Sequence, residues 1–136
     1  MKASRTPTEI GTRVQPLLDM AWTFLRTARE EMDEGFAANN YVKVRDGAEK
    51  AWNAILQATD HAMRVHGRTP LPGRDAHRDR REFLESIGRG DLAREFTYSA
   101  ERLHGDVFYV GAQVSPDAAR RYMDEVEDYI RKVSDL

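Results

Sequence analysis

Residues 44–63 read VRDGAEKAWNAILQATDHAM, and the spacing of their apolar side chains decides the fold. Val44, Ala48, Ala51, Ile55, Ala58 and Ala62 recur at steps of three and four, which lines them along one face of a helix. Trp52, Leu56 and Met63 flank that stripe. So many alanines let a second helix come close, while Trp52 supplies bulk beside them. The pattern predicts a helix from about Tyr41 to His66.

Working upstream, Leu18, Ala21, Leu25, Ala28 and Met32 form a matching stripe. Proline is tolerated in a first turn, so this helix is expected to become regular near Pro16. Gly35 marks the expected exit and Asn39-Asn40 a turn. So short a link favours an antiparallel pair.

Downstream, Gly67 to Asp75 holds Pro70 and Pro72 and reads as a loop. A third helix is expected over Ala76–Ile87, closed by Gly88 and Gly90. Asp91 suits the cap of a fourth, which buries Leu92, Phe96, Ala100 and Leu103. Gly105 is read as its terminator, with Phe108 and Tyr109 folding back as an anchor and Gly111 releasing the chain. Ser115-Pro116-Asp117 is a start signal, a capping hydroxyl followed by proline and an acid. The last helix then buries Ala118, Tyr122, Val126, Tyr129 and Val133. The expected architecture is all-α, an up-and-down bundle of about five helices. It forms a single domain over 1–136, with about 1–12 as a flexible N-terminal arm.

Composition sets limits on function. The chain has 136 residues, 40% hydrophobic and 32% charged, which suits a globular domain rather than a disordered one. Its net charge of -2 argues against a whole-domain electrostatic footprint for nucleic acid. Without cysteine there is no disulfide or thiolate metal site. No apolar run is long enough to span a membrane, and the N-terminus does not read as a secretory signal, so a soluble cytoplasmic protein is expected.

The histidines are His61, His66, His77 and His104. His61 and His66 do not share a helix face, and no HExxH pair occurs. No metal and no cofactor is expected. Phosphate-cradling glycine motifs and a GxSxG elbow are absent as well. Glu30, Glu31, Asp33 and Glu34 read as a solvated face. Arg64, Arg68, Arg74, Arg78, Arg80 and Arg81 form a basic run with two readings. They either meet phosphate, or Arg78, Arg80 and Arg81 pair with Asp75, Asp79, Glu82 and Glu85 along one helix. The stretch 101-ERLHGDVFYVG-111 is similarly open. Either His104 sits in a last turn and complements the helix dipole, or Arg102, His104 and Asp106 converge as a small polar site.

Three segments, 45-RDGAEKAWNAI-55, 77-HRDRREFL-84 and 100-AERLHGDVFY-109, together resemble the PaREP1-like branch of the HEPN superfamily. The resemblance covers roughly Ala21 to the C-terminus. It implies a helical bundle that forms a homodimer. It also implies one of two chemistries: metal-independent RNA cleavage by an Arg-x(4–6)-His motif, or a non-catalytic role beside a nucleotidyltransferase or a nucleotide. Arginine is missing from the required positions ahead of every histidine; ahead of His104 they hold Thr97, Tyr98 and Ser99. The expectation is therefore a non-catalytic HEPN-like homodimer that binds a nucleotide, nucleic acid or protein partner. Two alternatives stand beside it: a divergent ribonuclease using His104 with a cation supplied by a partner, and a pure protein-interaction module of antitoxin or scaffold type. Candidate binding residues are Arg45, Lys50, His77, Arg102, His104 and Asp106, near the junction of the second, third and fourth helices. Glu49 is read as a surface charge. Tyr41 and Trp22 are candidates for the dimer surface.

Overall fold

The computed structural model describes the backbone of residues 7–136 and the side chains from residue 15 onward. Residues 1–6 of the expected arm lie outside the described residues. The chain folds as an up-and-down bundle of five helices with no strand among the described residues: α1 Pro7–Ala37, α2 Tyr41–Val65, α3 Ala76–Ser86, α4 Gly90–Ser99 and α5 Pro116–Ser134. A 3-10 turn over Gly73–Asp75 leads into α3, and a π-helical segment, Ala100–Val110, continues α4.

α1 and α2 form the antiparallel hairpin that their stripes predict. Ala21, Leu25, Ala28 and Met32 of α1 are buried against Val44, Ala48, Ala51, Ile55, Ala58 and Ala62 of α2. Glu34 pairs with Lys43, and Glu31 with Lys50, along the seam. Two of the expected boundaries move. α1 begins at Pro7 and passes through Pro16. Proline withholds one helical N–H, and Pro16 is exposed, so solvent can take up the carbonyl that loses it. Gly35 is not the exit, because α1 runs on to Ala37. A Cβ at Gly35 would stand 2.8 Å from Val44 Cγ2 and 2.9 Å from Asn40 O, so the glycine is needed for close approach to α2.

The turn itself has a clear cause. Asn39 is left-handed at φ 52, and Asn40 N–H closes back on Gly35 O at 2.7 Å. This is the six-to-one closure that caps a helix C-terminus. Asn40 then caps α2 by accepting from Lys43 N–H. The same closure ends α2 at Gly67 and α3 at Gly88.

α5 lies antiparallel to α1 and parallel to α2. Ser115 Oγ accepts from Ala118 N–H and caps it as predicted. Val126, Tyr129 and Val133 are buried as expected, joined by Ala119, Met123 and Ile130, while Ala118 and Tyr122 are only half-buried. Arg29 of α1 reaches Asp124 at 3.0 Å, and Arg131 stacks over Trp22 at 5.4 Å. Inside the core, Thr59 Oγ1 donates to Ile55 O at 2.7 Å, so the Tyr129 hydroxyl, 2.7 Å away, donates to Thr59. Burial pushes that phenol well above its ordinary titration range, with the Thr59 hydrogen bond acting the other way.

The α4 region departs most from expectation. Asp91 does not cap the helix. Arg89 precedes its first turn and grips the Asp91 carboxylate with two donors at 3.1 Å. Gly105 does not end it either. Helical winding continues as π-helix to Val110, and Gly111, left-handed at φ 78, is the terminator. Nothing local demands glycine at 105, where a Cβ would make only an ordinary 3.6 Å contact. Phe108 is half-buried, but Tyr109 is 73% exposed and is no anchor to the core.

Candidate functional site

What carries the chain across Gly105 lies on α2, far away in sequence. Arg45 Nε donates to Phe108 O at 2.8 Å, and Nη2 donates to the carbonyls of Phe108 and Tyr109. These are carbonyls that a helix end leaves without an N–H partner, and a cation there also opposes the dipole. One turn earlier on α2, the Tyr41 hydroxyl donates to Ala112 O at 2.7 Å and accepts from Val114 N–H. Two side chains from the start of α2 thus fasten the whole exit of the π segment.

π winding is rare and usually short, and it recurs at functional sites. Its turn holds more than four residues, so the side chains four and five positions on both lean toward one face, whereas in an α-helix the fifth points away. Tyr109 is the fifth on from His104, their rings 5.9 Å apart and edge-on. Phe108 stacks on His104 at 6.0 Å.

Glu49 faces this cluster from α2. Its Oε2 accepts from His104 Nδ1–H at 2.8 Å, a charge-reinforced contact with the carboxylate about one-quarter exposed. Glu49 is therefore not the surface charge that its neighbour Lys50 suggests. The bond fixes the imidazole tautomer, and in the neutral ring it leaves the lone pair on Nε2. No described residue is hydrogen-bonded to Nε2, and the side chain is 40% exposed.

Trp52, buried on α2, separates His104 from a second imidazole. The Trp52 ring lies 6.2 Å from His104 and 5.4 Å from His77, the latter edge-on. Arg80 Nη1 donates to His77 Nδ1 at 3.0 Å. A guanidinium only donates, so the His77 proton sits on Nε2. Burial lowers the His77 pKa, and the charges of Arg80, His104 and Arg81 lower it further. His77 is thus held neutral while His104 is leashed to a carboxylate.

Of the six candidate residues, the structure brings His77 and His104 against the same Trp52 ring. Arg45 has its guanidinium committed to backbone carbonyls of the π segment. Lys50 turns to Glu31 on the hairpin. Arg102 turns to α5, bound to Glu125 at 2.9 Å and layered between Tyr98 and Tyr122. Asp106 is exposed, and its carbonyl accepts from the N–H groups of Gly111 and Ala112. The basic run divides too. Arg78 pairs locally with Asp75 and Glu82, whereas Arg80 reaches Asp60 on α2 through two donors at 2.7 and 3.0 Å. Arg68 joins Leu71 N–H in holding Asp79, and no described carboxylate pairs with Arg81.

Glu49 and Trp52 are the site residues that sequence reasoning missed. Arg45, Glu49 and Trp52 follow at steps of four and three, a polar edge beside the alanine stripe, and that spacing is the signal that could have found them. Among the described residues, no group of three or more His, Asp or Glu side chains is placed to hold a metal ion. No helix among them is long and apolar enough to cross a membrane. Tyr41 and Trp22 are both half-buried and engaged within the chain. No family model matches the sequence, and no curated protein is found to be similar to it.

Proposed function

We propose that this chain is a non-catalytic HEPN-like domain that binds a nucleotide or an RNA strand, as a homodimer, on the surface around His77 and His104. One observation carries the reading: Glu49 holds His104 by Nδ1, leaving Nε2 without a hydrogen-bond partner among the described residues on a side chain 40% exposed, while the arginines close to that imidazole are engaged elsewhere. Arg45 serves backbone carbonyls, Arg80 serves Asp60 with its side chain only 11% exposed, and Arg102 serves Glu125. An imidazole held in this way suits recognition of a ribose hydroxyl or phosphate oxygen. Arg81, which no described carboxylate pairs, stands one turn from His77 on α3. With no such cation beside His104 among the described residues to offset charge at a transferring phosphoryl group, that imidazole is poorly equipped for cleavage.

A specific feature favours a second reading, the divergent ribonuclease. A carboxylate-held imidazole whose Nε2 lone pair is unclaimed has the form of a general base for a ribose hydroxyl, while neutral His77 can offer a hydrogen bond from Nε2–H but no proton. The missing cation would then come from the second copy in the dimer. Incubation of the purified protein with labelled mixed-sequence RNA separates the two readings. The strand is expected to stay intact while its anisotropy rises on binding, and Glu49→Gln is expected to weaken that binding. Cleavage that disappears in His104→Ala would establish the ribonuclease instead. An absence of binding, cleavage and dimer would leave neither standing.

A further inference from the structure

Tyr109 is the most exposed of the Phe, Tyr and Trp residues among the described residues, and its backbone is held from another helix. The residue is 73% exposed, while its carbonyl and that of Phe108 accept from Arg45. Two residues on, Gly111 closes against Asp106 O, and the Tyr41 hydroxyl holds the chain beyond. An exposed aromatic on a mobile loop loses much conformational freedom when it binds. One on a clamped backbone has little left to lose. The neighbours matter as well. The His104 ring meets Tyr109 edge-on, and Phe108 lies against both rings at 6.0 and 6.3 Å, so the platform is backed by a small aromatic cluster.

We infer that Tyr109 is a stacking platform for an unpaired base, placed so that the ribose of the stacked nucleotide meets His104 Nε2. The inference rests on the RNA-binding reading above and assigns it a base-recognition residue. Stacking on an aromatic ring is tolerant of sequence, because every base has a π face. The platform therefore selects single-stranded over paired RNA without selecting a sequence. Polarity follows from the charges. The π-segment end offers ring surface, whereas Arg81, which no described carboxylate pairs, stands one turn after His77 on α3. The base belongs at the Tyr109 end and the adjoining phosphate toward His77 and Arg81.

The test uses the full chain and two fluorescently labelled decamers of equal charge, one of riboadenylate and one fully abasic. Tyr109→Ala is expected to weaken riboadenylate binding by about tenfold, within the range for loss of one base–aromatic stack. Tyr109→Phe should retain wild-type affinity, and neither change should alter binding of the abasic strand. Because Tyr109 is exposed, both variants keep the fold, which circular dichroism checks. Riboadenylate binding that falls with Glu49→Gln but not with Tyr109→Ala overturns the platform and leaves the RNA site intact. Equal losses in Tyr109→Ala and Tyr109→Phe overturn it too, since the hydroxyl and not the ring would then be responsible. If the wild type binds neither strand, the platform and the RNA site fall together.

Discussion

The hairpin of α1 and α2 and the helix that runs from Gly90 to Val110 are held together in opposite ways. In the hairpin, order is local and repetitive: small residues on a helical period, a glycine where two backbones approach, and a six-to-one closure at the turn. In the α4 region the chain changes its winding at Ala100, and its far end is fixed by side chains from the start of α2. The first region supplies a rigid support. The second, shaped from outside, carries the imidazole and the exposed ring. Positions defined by nonlocal grips can hold unusual geometry that no local propensity would choose.

Three measurements put this contrast under strain. The largest effect is expected at Trp52, where the two regions share a side chain that touches Phe96, His77 and His104. Trp52→Ala should cost about 3–5 kcal/mol in urea unfolding, the usual range for a large buried aromatic. A loss below 1 kcal/mol would mean that the hairpin and the α4 region scarcely depend on each other. Next comes Arg45→Met, which keeps most of the apolar stem and removes the donors to Phe108 and Tyr109. About 1.5–3 kcal/mol is expected from the lost charge-assisted hydrogen bonds. Hydrogen exchange should quicken around 108–114 while the amides of α1 keep their protection; uniform quickening would contradict a local clamp.

The smallest effect is in pH dependence. Burial and Arg80 lower the His77 pKa below its ordinary 6.5, so the unfolded chain takes up that proton at a higher pH than the folded one. The contribution of His77 is complete above the unfolded value and is lost as pH falls through the window below it. Urea midpoints measured across this window should therefore drop more steeply for the wild type than for His77→Gln. Parallel profiles would show that the imidazole is not held neutral by its surroundings.

Legibility in the sequence follows the same division. The alanine stripes, the Asn39-Asn40 turn and the Ser115-Pro116 start were all readable, because each signal and its cause lie within a few residues. Gly35 and Gly105 were misread as helix ends, since a glycine's role at a close approach, or its indifference within a helix, depends on what packs against it. Asp91 looked like a cap, yet its carboxylate is taken by Arg89 at the same helix start. Among the candidate site residues, His77 and His104 were visible as chemistry-bearing types. Glu49 was not, because its partner stands 55 residues away and its neighbour Lys50 makes both look like surface charge. The arginines were over-weighted for a related reason: sequence shows a cation but not whether Asp60, Glu125 or a backbone carbonyl already holds it.

The winding of residues 100–110 also bears on how the chain aligns with others. A relative with an ordinary α-helix here would need only four positions, not five, to bring an imidazole and an aromatic ring onto one face. A gap-free alignment through this segment would then match Tyr109 to the wrong column and rotate its counterpart away from the histidine. Allowing one gap between the columns of His104 and Tyr109 would restore the correspondence, so a single deletion there is less a loss of sequence than a change of helix type.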